Sequence, residues 1–221
     1  MDSSASIVAR ARSKPRLRGV SHAVAFGLTP AVVLAVEMLA ASPRASKAGL
    51  IYGATLAALF GVSALYHCPM WSLGARRLLR RADHSMIFLF IAGTYTALAL
   101  ALPVERQASL LSLAWGGSAL GVARVFFWPR APRAISVGCY LVVGWLAVPY
   151  FGDLWRGMGV TRLGLVLAGG LLYSVGAVIY ARRWPDPIPH VFGFHEVFHV
   201  LVVAAASLHL CVVLGLLQQV G

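Results

Sequence analysis

The sequence predicts an all-α membrane protein, a bundle of seven transmembrane helices with its N-terminus in the cytoplasm. Of the 221 residues, 59% are hydrophobic and only 12% are charged, whereas a soluble globular domain is nearer a quarter charged. The chain contains seven apolar stretches of the length that spans a hydrocarbon core of about 30 Å as a helix. Its arginines and lysines are concentrated in alternate loops, which gives the predicted orientation.

The apolar stretches do not alternate apolar with polar residues, which argues against membrane-spanning strands. They lie at 19–41, 48–67, 84–103, 107–128, 134–152, 161–181 and 194–217. The first is too long for the apolar core of a signal peptide, so it is expected to remain as a membrane helix. Residues 1–18 are polar and basic and are predicted to form a disordered cytoplasmic tail. Residues 19–221 are then one transmembrane domain.

The distribution of positive charge orients these helices in a cell membrane. Lys and Arg total 19 against 7 Asp and Glu, a net charge of +12. Most of these cations lie in the tail and in the loops after the second, fourth and sixth stretches. The positive-inside rule therefore places the tail inside and the C-terminus outside. The basic balance indicates cytoplasmic loops and not nucleic-acid binding.

A His-Glu-x-x-His motif begins the last apolar stretch, with His195, Glu196 and His199. Two histidines four residues apart lie on one face of a helix, and this spacing can bind one metal ion. Ionisable side chains are costly inside a bilayer, so such a group indicates a functional site.

The predicted topology brings further polar residues to the same depth. Ser63 and His67 end the second stretch, and Asp83 begins the third, both on the cytoplasmic side. Together with His195 and His199, His67 would supply three nitrogen ligands and leave one position for water, as in a catalytic zinc site. Asp83 could hold that water or orient a ligand. The sequence therefore predicts a zinc ion held by three histidines.

Other interpretations of these residues remain open. His-Glu-x-x-His is also the metalloprotease signature, with Glu196 as general base, although no further polar ligand follows His199 at a suitable depth. Cys68 would supply a fourth ligand to a closed, structural zinc site. Haem could lie between His67 and His199, without a covalent attachment motif. Asp83 could instead be the N-cap of the third helix.

The remaining histidines are interpreted as ordinary residues. A single histidine at a helix end is more often interfacial than a ligand, and this applies to His22, His84 and His190. His209 lies about 21 Å from His195 along a helix axis at the usual rise, so it cannot share a metal with His195 and is assigned to packing.

Four segments together resemble the hemolysin III family, the bacterial branch of the progestin and adipoQ receptor proteins, which are related to the adiponectin receptors and alkaline ceramidases. The matching segments are Ser63-Ala-Leu-Tyr-His67, Arg80-Arg-Ala-Asp83-His84-Ser-Met-Ile-Phe-Leu-Phe-Ile-Ala-Gly-Thr-Tyr-Thr96, His195-Glu-Val-Phe-His199 and Ser207-Leu-His209. The similarity runs from about residue 20 to 217, and the block from Asp83 to Thr96 is its most specific part.

The resemblance implies seven membrane helices with the N-terminus inside, in a bacterial inner membrane. It also implies zinc bound near the cytoplasmic side by His67, His195 and His199, with Asp83 bonded to the zinc-bound water and Ser63 close by. Members often carry Glu and Asn shortly before the first histidine, where this chain has the basic segment Lys14–His22.

Two functions follow as expectations. The first is an intramembrane zinc hydrolase in which Asp83 transfers protons, with a membrane lipid amide such as a ceramide as substrate. The second is a non-catalytic receptor, regulator or cytolysin in which zinc ties two helices together.

Overall fold

A computed structural model describes residues 14–219, so residues 1–13 of the predicted tail lie outside the described part. These residues form seven α-helices, with short 3-10 helices at Ala99–Ala101 and Val148–Tyr150. The α-helices are α1 Val20–Leu39, α2 Pro43–His67, α3 Leu73–Leu98, α4 Val104–Phe127, α5 Arg133–Gly144, α6 Phe151–Arg182 and α7 Phe194–Leu217.

The helices are long, apolar and exposed on their outer faces, as a lipid environment requires. Six helical segments of the described residues are long and apolar enough to cross a membrane, and the region Arg133–Arg182 is one of them. Large apolar side chains such as Leu28, Met38 and Leu120 are between 62% and 75% exposed. A water-facing surface rarely carries so much apolar area. The prediction of an all-α membrane protein is confirmed.

The fifth predicted helix, 134–152, is interrupted in the structure. α5 ends at Gly144, and the chain continues through a turn and a 3-10 helix that contains Pro149. α6 is itself broken at Gly159, whose φ of 78° and ψ of 168° are not helical. Proline lacks the N–H that a helix needs, and glycine alone readily adopts a positive φ. The number of long apolar helices is therefore six or seven, depending on whether Arg133–Arg182 counts once or twice.

α3 begins well before the predicted start at residue 84. Ser72 is its N-cap and accepts a hydrogen bond from the Ala75 N–H. The basic segment before Asp83 is therefore helical and not a loop. Asp83 lies inside the helix, so the alternative that it caps the third helix is wrong.

α7 packs against four other helices of the bundle, α1, α2, α3 and α6. A large apolar cluster, which includes Tyr52, Phe90 and Val213, fills the space between α1, α2, α3 and α7. This packing fixes the first turns of α7 beside the end of α2. Both of those helix ends carry histidines.

Candidate metal centre

The three histidines predicted to bind a metal are brought together by α2 and α7. His67 is the last residue of α2, and His195 and His199 lie in the first turns of α7. One possible ligand atom from each residue lies within 4.8 Å of the other two. His67 and His199 are buried and His195 is partly buried, so the group is largely enclosed.

The geometry of this histidine group fits a metal such as zinc. The Nε2 atoms of His67 and His195 are 3.2 Å apart. Two nitrogens bound about 2.05 Å from a tetrahedral zinc would lie about 3.3 Å apart. The Nδ1 atom of His199 is buried and has no hydrogen-bond partner among the described residues. A buried polar atom normally has a partner, and a cation would satisfy the unpaired nitrogens of this group.

Asp83 and Ser63 lie beside the histidine group. The Asp83 Oδ2 atom is 3.8 Å from His67 Nε2. Ser63 lies one turn before His67 on the buried face of α2, next to the Asp83 carboxylate. The five residues that the sequence singled out therefore lie together in space.

An apolar cavity extends from this group into the bundle. Its volume is about 160 Å³, and α2, α3, α5, α6 and α7 contribute to its wall. Asp83, His195 and His199 lie at one end, and His209 lies further along α7. Most of the intervening wall is apolar, with residues such as Phe90, Leu141 and Val166. A small apolar group, such as part of an acyl chain, could occupy this cavity beside the histidines.

His22 is a neighbour of the site that sequence reasoning assigned to the interface. It is only 3% exposed. Its ring stacks on the His199 ring, with centroids 3.8 Å apart and planes 5° from parallel. Neither of its ring nitrogens, both buried, has a well-formed hydrogen bond among the described residues. The one sequence signal for this position was its place in the first turn of α1, at the predicted depth of the other histidines.

The segment before α1 lies against the end of the bundle that carries the histidine group. The amides of Arg16 and Leu17 donate to the carbonyl oxygens of His190 and Val191, at 3.0 and 3.1 Å. Arg18 forms an ion pair with Glu196. Thus residues 14–18, the described part of the predicted tail, form a segment ordered by contacts with the α6–α7 loop and α7. This segment is named the N-terminal strap below.

Glu196 has a structural role that does not fit a metalloprotease base. One carboxylate oxygen accepts from the Gly193 N–H at 2.8 Å, which caps α7, and the other accepts from Arg18. The side chain is 3% exposed. Both of its oxygens are occupied away from the histidine group, which argues against the protease interpretation.

The contacts of three other residues can be compared with the roles that the sequence suggested for them. His84 is not simply interfacial: its Nδ1 lies 3.1 Å from the Tyr140 hydroxyl, and both residues line the cavity. His209 is buried, and its ring Nε2 pairs with the Val166 carbonyl oxygen at 3.0 Å, as expected for a packing residue. Cys68 is exposed and its Sγ lies 4.0 Å from the Arg18 carbonyl oxygen. It is not one of the residues grouped around the possible metal position.

Fold and site together define a class: a multi-pass membrane protein with a buried group of three histidines that could hold a metal ion. Comparison with known protein families shows to which family of this class the chain belongs. The family described as "Haemolysin-III related" matches residues 10–210. The chain belongs to the haemolysin-III family, and the resemblance drawn from the sequence is confirmed.

The relatives include bacterial and animal proteins. The chain is 30% identical to "Hemolysin-3" of Bacillus cereus over 193 residues, which cover 86% of this chain and 85% of the relative. It is 26% identical to human "Monocyte to macrophage differentiation factor" over 164 residues, covering 72% of this chain and 66% of the relative. A shorter match, 43% over 65 residues, is to "ADIPOR-like receptor IZH2" of Saccharomyces cerevisiae and covers 27% of this chain and 20% of the relative.

Proposed function

We propose that this protein is a zinc-dependent hydrolase that cleaves a lipid amide, such as a ceramide, within the membrane. The observation that carries the proposal is the position of His195, His199 and Asp83 at the end of an apolar cavity, with His67 grouped beside the two histidines. A metal-assisted hydrolase needs such a ligand set with an open position. A lipid amide also needs an apolar enclosure for its acyl chain.

The three histidines would hold zinc, and the chain leaves a ligand position free. When bound, zinc polarises a carbonyl group and activates water as a nucleophile at neutral pH. No cysteine or carboxylate joins the three histidines in the group found among residues 14–219. An open site of this kind is typical of catalytic zinc, whereas structural zinc usually has four protein ligands.

Asp83 is the residue proposed to move protons. Its carboxylate lies 3.8 Å from His67 Nε2, within reach of a water placed between the histidines. Asp83 accepts a proton as that water attacks the amide carbonyl, and then delivers it to the amide nitrogen as the C–N bond breaks. The products are a carboxylic acid and an amine. Ser63 lies beside the carboxylate and orients it.

The proposal includes the orientation derived from charge. With seven crossings and the N-terminus inside, the histidine group lies near the cytoplasmic leaflet of a bacterial inner membrane. The exposed arginines of the first turns of α3 and of the α6–α7 loop lie at the same end of the bundle as the N-terminal strap. Product amine would then be released toward the cytoplasm.

Elemental analysis of purified protein tests the metal site. We expect about one zinc per wild-type chain and its loss from His67→Ala, His195→Ala and His199→Ala. His209→Ala is the matched control, because His209 is a buried histidine of α7 outside the histidine group. Full zinc retention in all three site variants would reject the site.

The hydrolase is tested separately by mass spectrometry of a ceramide incubated with the protein in mixed micelles. Release of fatty acid and sphingoid base is expected from wild type. Asp83→Asn should keep zinc and lose about 10²-fold to 10⁴-fold in rate, the range for general acid–base groups. Unchanged activity in Asp83→Asn would remove Asp83 from the mechanism.

A second candidate function is a non-catalytic or cytolytic role with structural zinc. It is favoured by the 30% identity to a protein named "Hemolysin-3". Purified protein added to erythrocytes should release haemoglobin if this role is correct. Lysis that persists in Asp83→Asn, together with no ceramide cleavage in wild type, would favour this candidate over the hydrolase.

A further inference from the structure

Arg124, in the last turn of α4, has two guanidinium nitrogens enclosed in the protein. These are Nε and Nη2, which are buried and have no hydrogen-bond partner among the described residues. Arginine always carries its charge, and a buried charged donor is normally paired. These two nitrogens can therefore bind a further acceptor.

The surroundings of Arg124 contain donors, further cations and one acid, because Asp83 acts electrostatically on Tyr140 together with Arg124. The Tyr140 hydroxyl of α5 lies beside the guanidinium. The same hydroxyl lies 3.1 Å from His84 Nδ1 of α3. Arg80 and Arg133 also act electrostatically on His84. None of the ion pairs formed between residues 14 and 219 includes Arg80, Arg124 or Arg133. This part of the bundle therefore has excess positive charge and favours an anion.

Simple extension of Arg124 toward water does not account for this arrangement. A lone arginine near a helix end usually directs its guanidinium to the interface. Here two guanidinium nitrogens are enclosed between helices. Arg133 differs, because it donates to the Tyr180 carbonyl oxygen at 3.3 Å and lies over the Tyr180 ring. Arg124 is thus the unsatisfied member of the cluster.

The position of Arg124 corresponds to the level of lipid headgroups. Phe127 and Trp128 lie three and four residues after it and are 89% and 49% exposed. Exposed aromatic residues at a helix end are typical of the membrane interface. α3, α4 and α5 meet beside Arg124 through the apolar cluster of Phe88, Val125 and Val143. Basic pockets between membrane helices bind anionic lipid headgroups.

We infer that Arg124, Tyr140 and His84 form a binding site for the phosphate of an anionic phospholipid, between α3, α4 and α5. The planar guanidinium matches phosphate oxygens with two parallel hydrogen bonds. The Tyr140 hydroxyl donates a third. The acyl chains then lie along the apolar outer faces of α4 and α5. This site shares a cavity wall with the proposed metal site but contains none of its three histidines, and its test does not depend on the proposed hydrolase activity.

The test is lipid binding by purified full-length protein, measured by native mass spectrometry and by lipid-induced thermal stabilisation. The probes are micelles that contain phosphatidylglycerol or phosphatidylcholine. Wild type should bind phosphatidylglycerol and gain stability from it, and phosphatidylcholine should give neither effect. Arg124→Gln should weaken phosphatidylglycerol binding about tenfold to hundredfold, as expected for lost charge-assisted hydrogen bonds.

Arg77→Gln is the matched control, because Arg77 is exposed on α3 and belongs to the same basic end of the protein. It should change phosphatidylglycerol affinity less than threefold, with zinc content unchanged in both variants. Equal binding of the two lipids by wild type would overturn the inference, and so would wild-type affinity in Arg124→Gln. If Arg124→Gln does not fold, Tyr140→Phe decides, because it removes one donor and should weaken binding severalfold.

Inorganic phosphate is the third probe and separates two sources of the same anion. Millimolar phosphate should leave phosphatidylglycerol binding unchanged, because it lacks the acyl chains. Complete displacement by phosphate would show that the site takes the free ion, and the lipid assignment would then be overturned.

Discussion

Gly19 separates the N-terminal strap from α1, and its replacement by alanine should damage the metal site directly. Its φ is 85°, a conformation that costs a residue with a side chain about 1–2 kcal/mol. A Cβ atom at this position would lie 2.7 Å from the His67 Cβ and 3.0 Å from the Cys68 Sγ. The substitution therefore adds both backbone strain and a collision with a proposed ligand.

The collision sets the size of the effect. Carbon atoms in good contact are about 3.5–4.0 Å apart, so His67 would have to move by roughly 1 Å. Metal–ligand distances tolerate only about 0.2 Å. The 3.2 Å spacing between His67 Nε2 and His195 Nε2 would not survive such a shift. We expect zinc affinity to fall about tenfold to hundredfold, the range seen when groups that orient a ligand are altered.

A competition titration of metal-free protein with a chromophoric zinc chelator measures this affinity. Gly27→Ala is the matched control, because Gly27 lies in α1 and a Cβ there would meet nothing within 4 Å. Circular dichroism should show the same helix content in both variants. Wild-type zinc affinity in Gly19→Ala would refute the placement of the strap against His67.

Three further changes test other contacts. His22→Ala should weaken zinc binding about tenfold, whereas His22→Phe, which keeps a ring stacked on His199, should restore most of the affinity; equal losses in both variants would exclude a stacking role. Glu196→Ala should lower the free energy of unfolding by about 2 kcal/mol because a charge-assisted hydrogen bond and a helix cap are lost, and hydrogen exchange should show faster amide exchange in the strap; an unchanged exchange rate would contradict this. In a variant without native cysteines, a membrane-impermeant maleimide should label Glu105→Cys and not Arg182→Cys on intact cells; the opposite pattern would reverse the proposed orientation.

Local spacing explains why much of the site could be predicted from sequence. His195 and His199 are four residues apart in one helix, so their common face follows from helical periodicity. His67 lies one helical turn after Ser63, at the end of the second apolar stretch. The distribution of Lys and Arg predicted that this helix end and the start of the last helix lie on the same side of the membrane. These inferences required helix geometry and topology but no knowledge of side-chain contacts.

The roles that sequence reasoning did not find are those that depend on tertiary contacts. His22 has no other histidine one helical turn away, so nothing local indicated its stacking on His199. Glu196 matches a catalytic motif by position, yet its carboxylate caps α7 and pairs with Arg18. Arg18 and Glu196 are 178 positions apart in the sequence, so helical periodicity could not indicate their contact.

The start of α3 was misplaced for a different reason. Hydropathy detects only the part of a helix that lies in lipid, and the first turns of α3 carry arginines. The Ser72 cap was a usable sequence signal, since serine before a helical segment is a common N-cap. The consequence for function is the position of Asp83, which a continuous helix holds more rigidly than a helix terminus would.

The irregular backbone between α5 and α6 lies beside the cavity for a physical reason. Backbone polar groups that leave a helix cannot face lipid unsatisfied, so irregular backbone at membrane depth is found where it is buried in protein or lines a cavity. Gly144, Trp145, Ala147 and Phe151, from the interrupted region, all line the cavity that begins at the histidine group. The Trp145 side chain is anchored by donating to the Ser174 hydroxyl at 3.0 Å. The irregular backbone between α5 and α6 is therefore buried in the protein beside the cavity, where its polar groups do not face lipid.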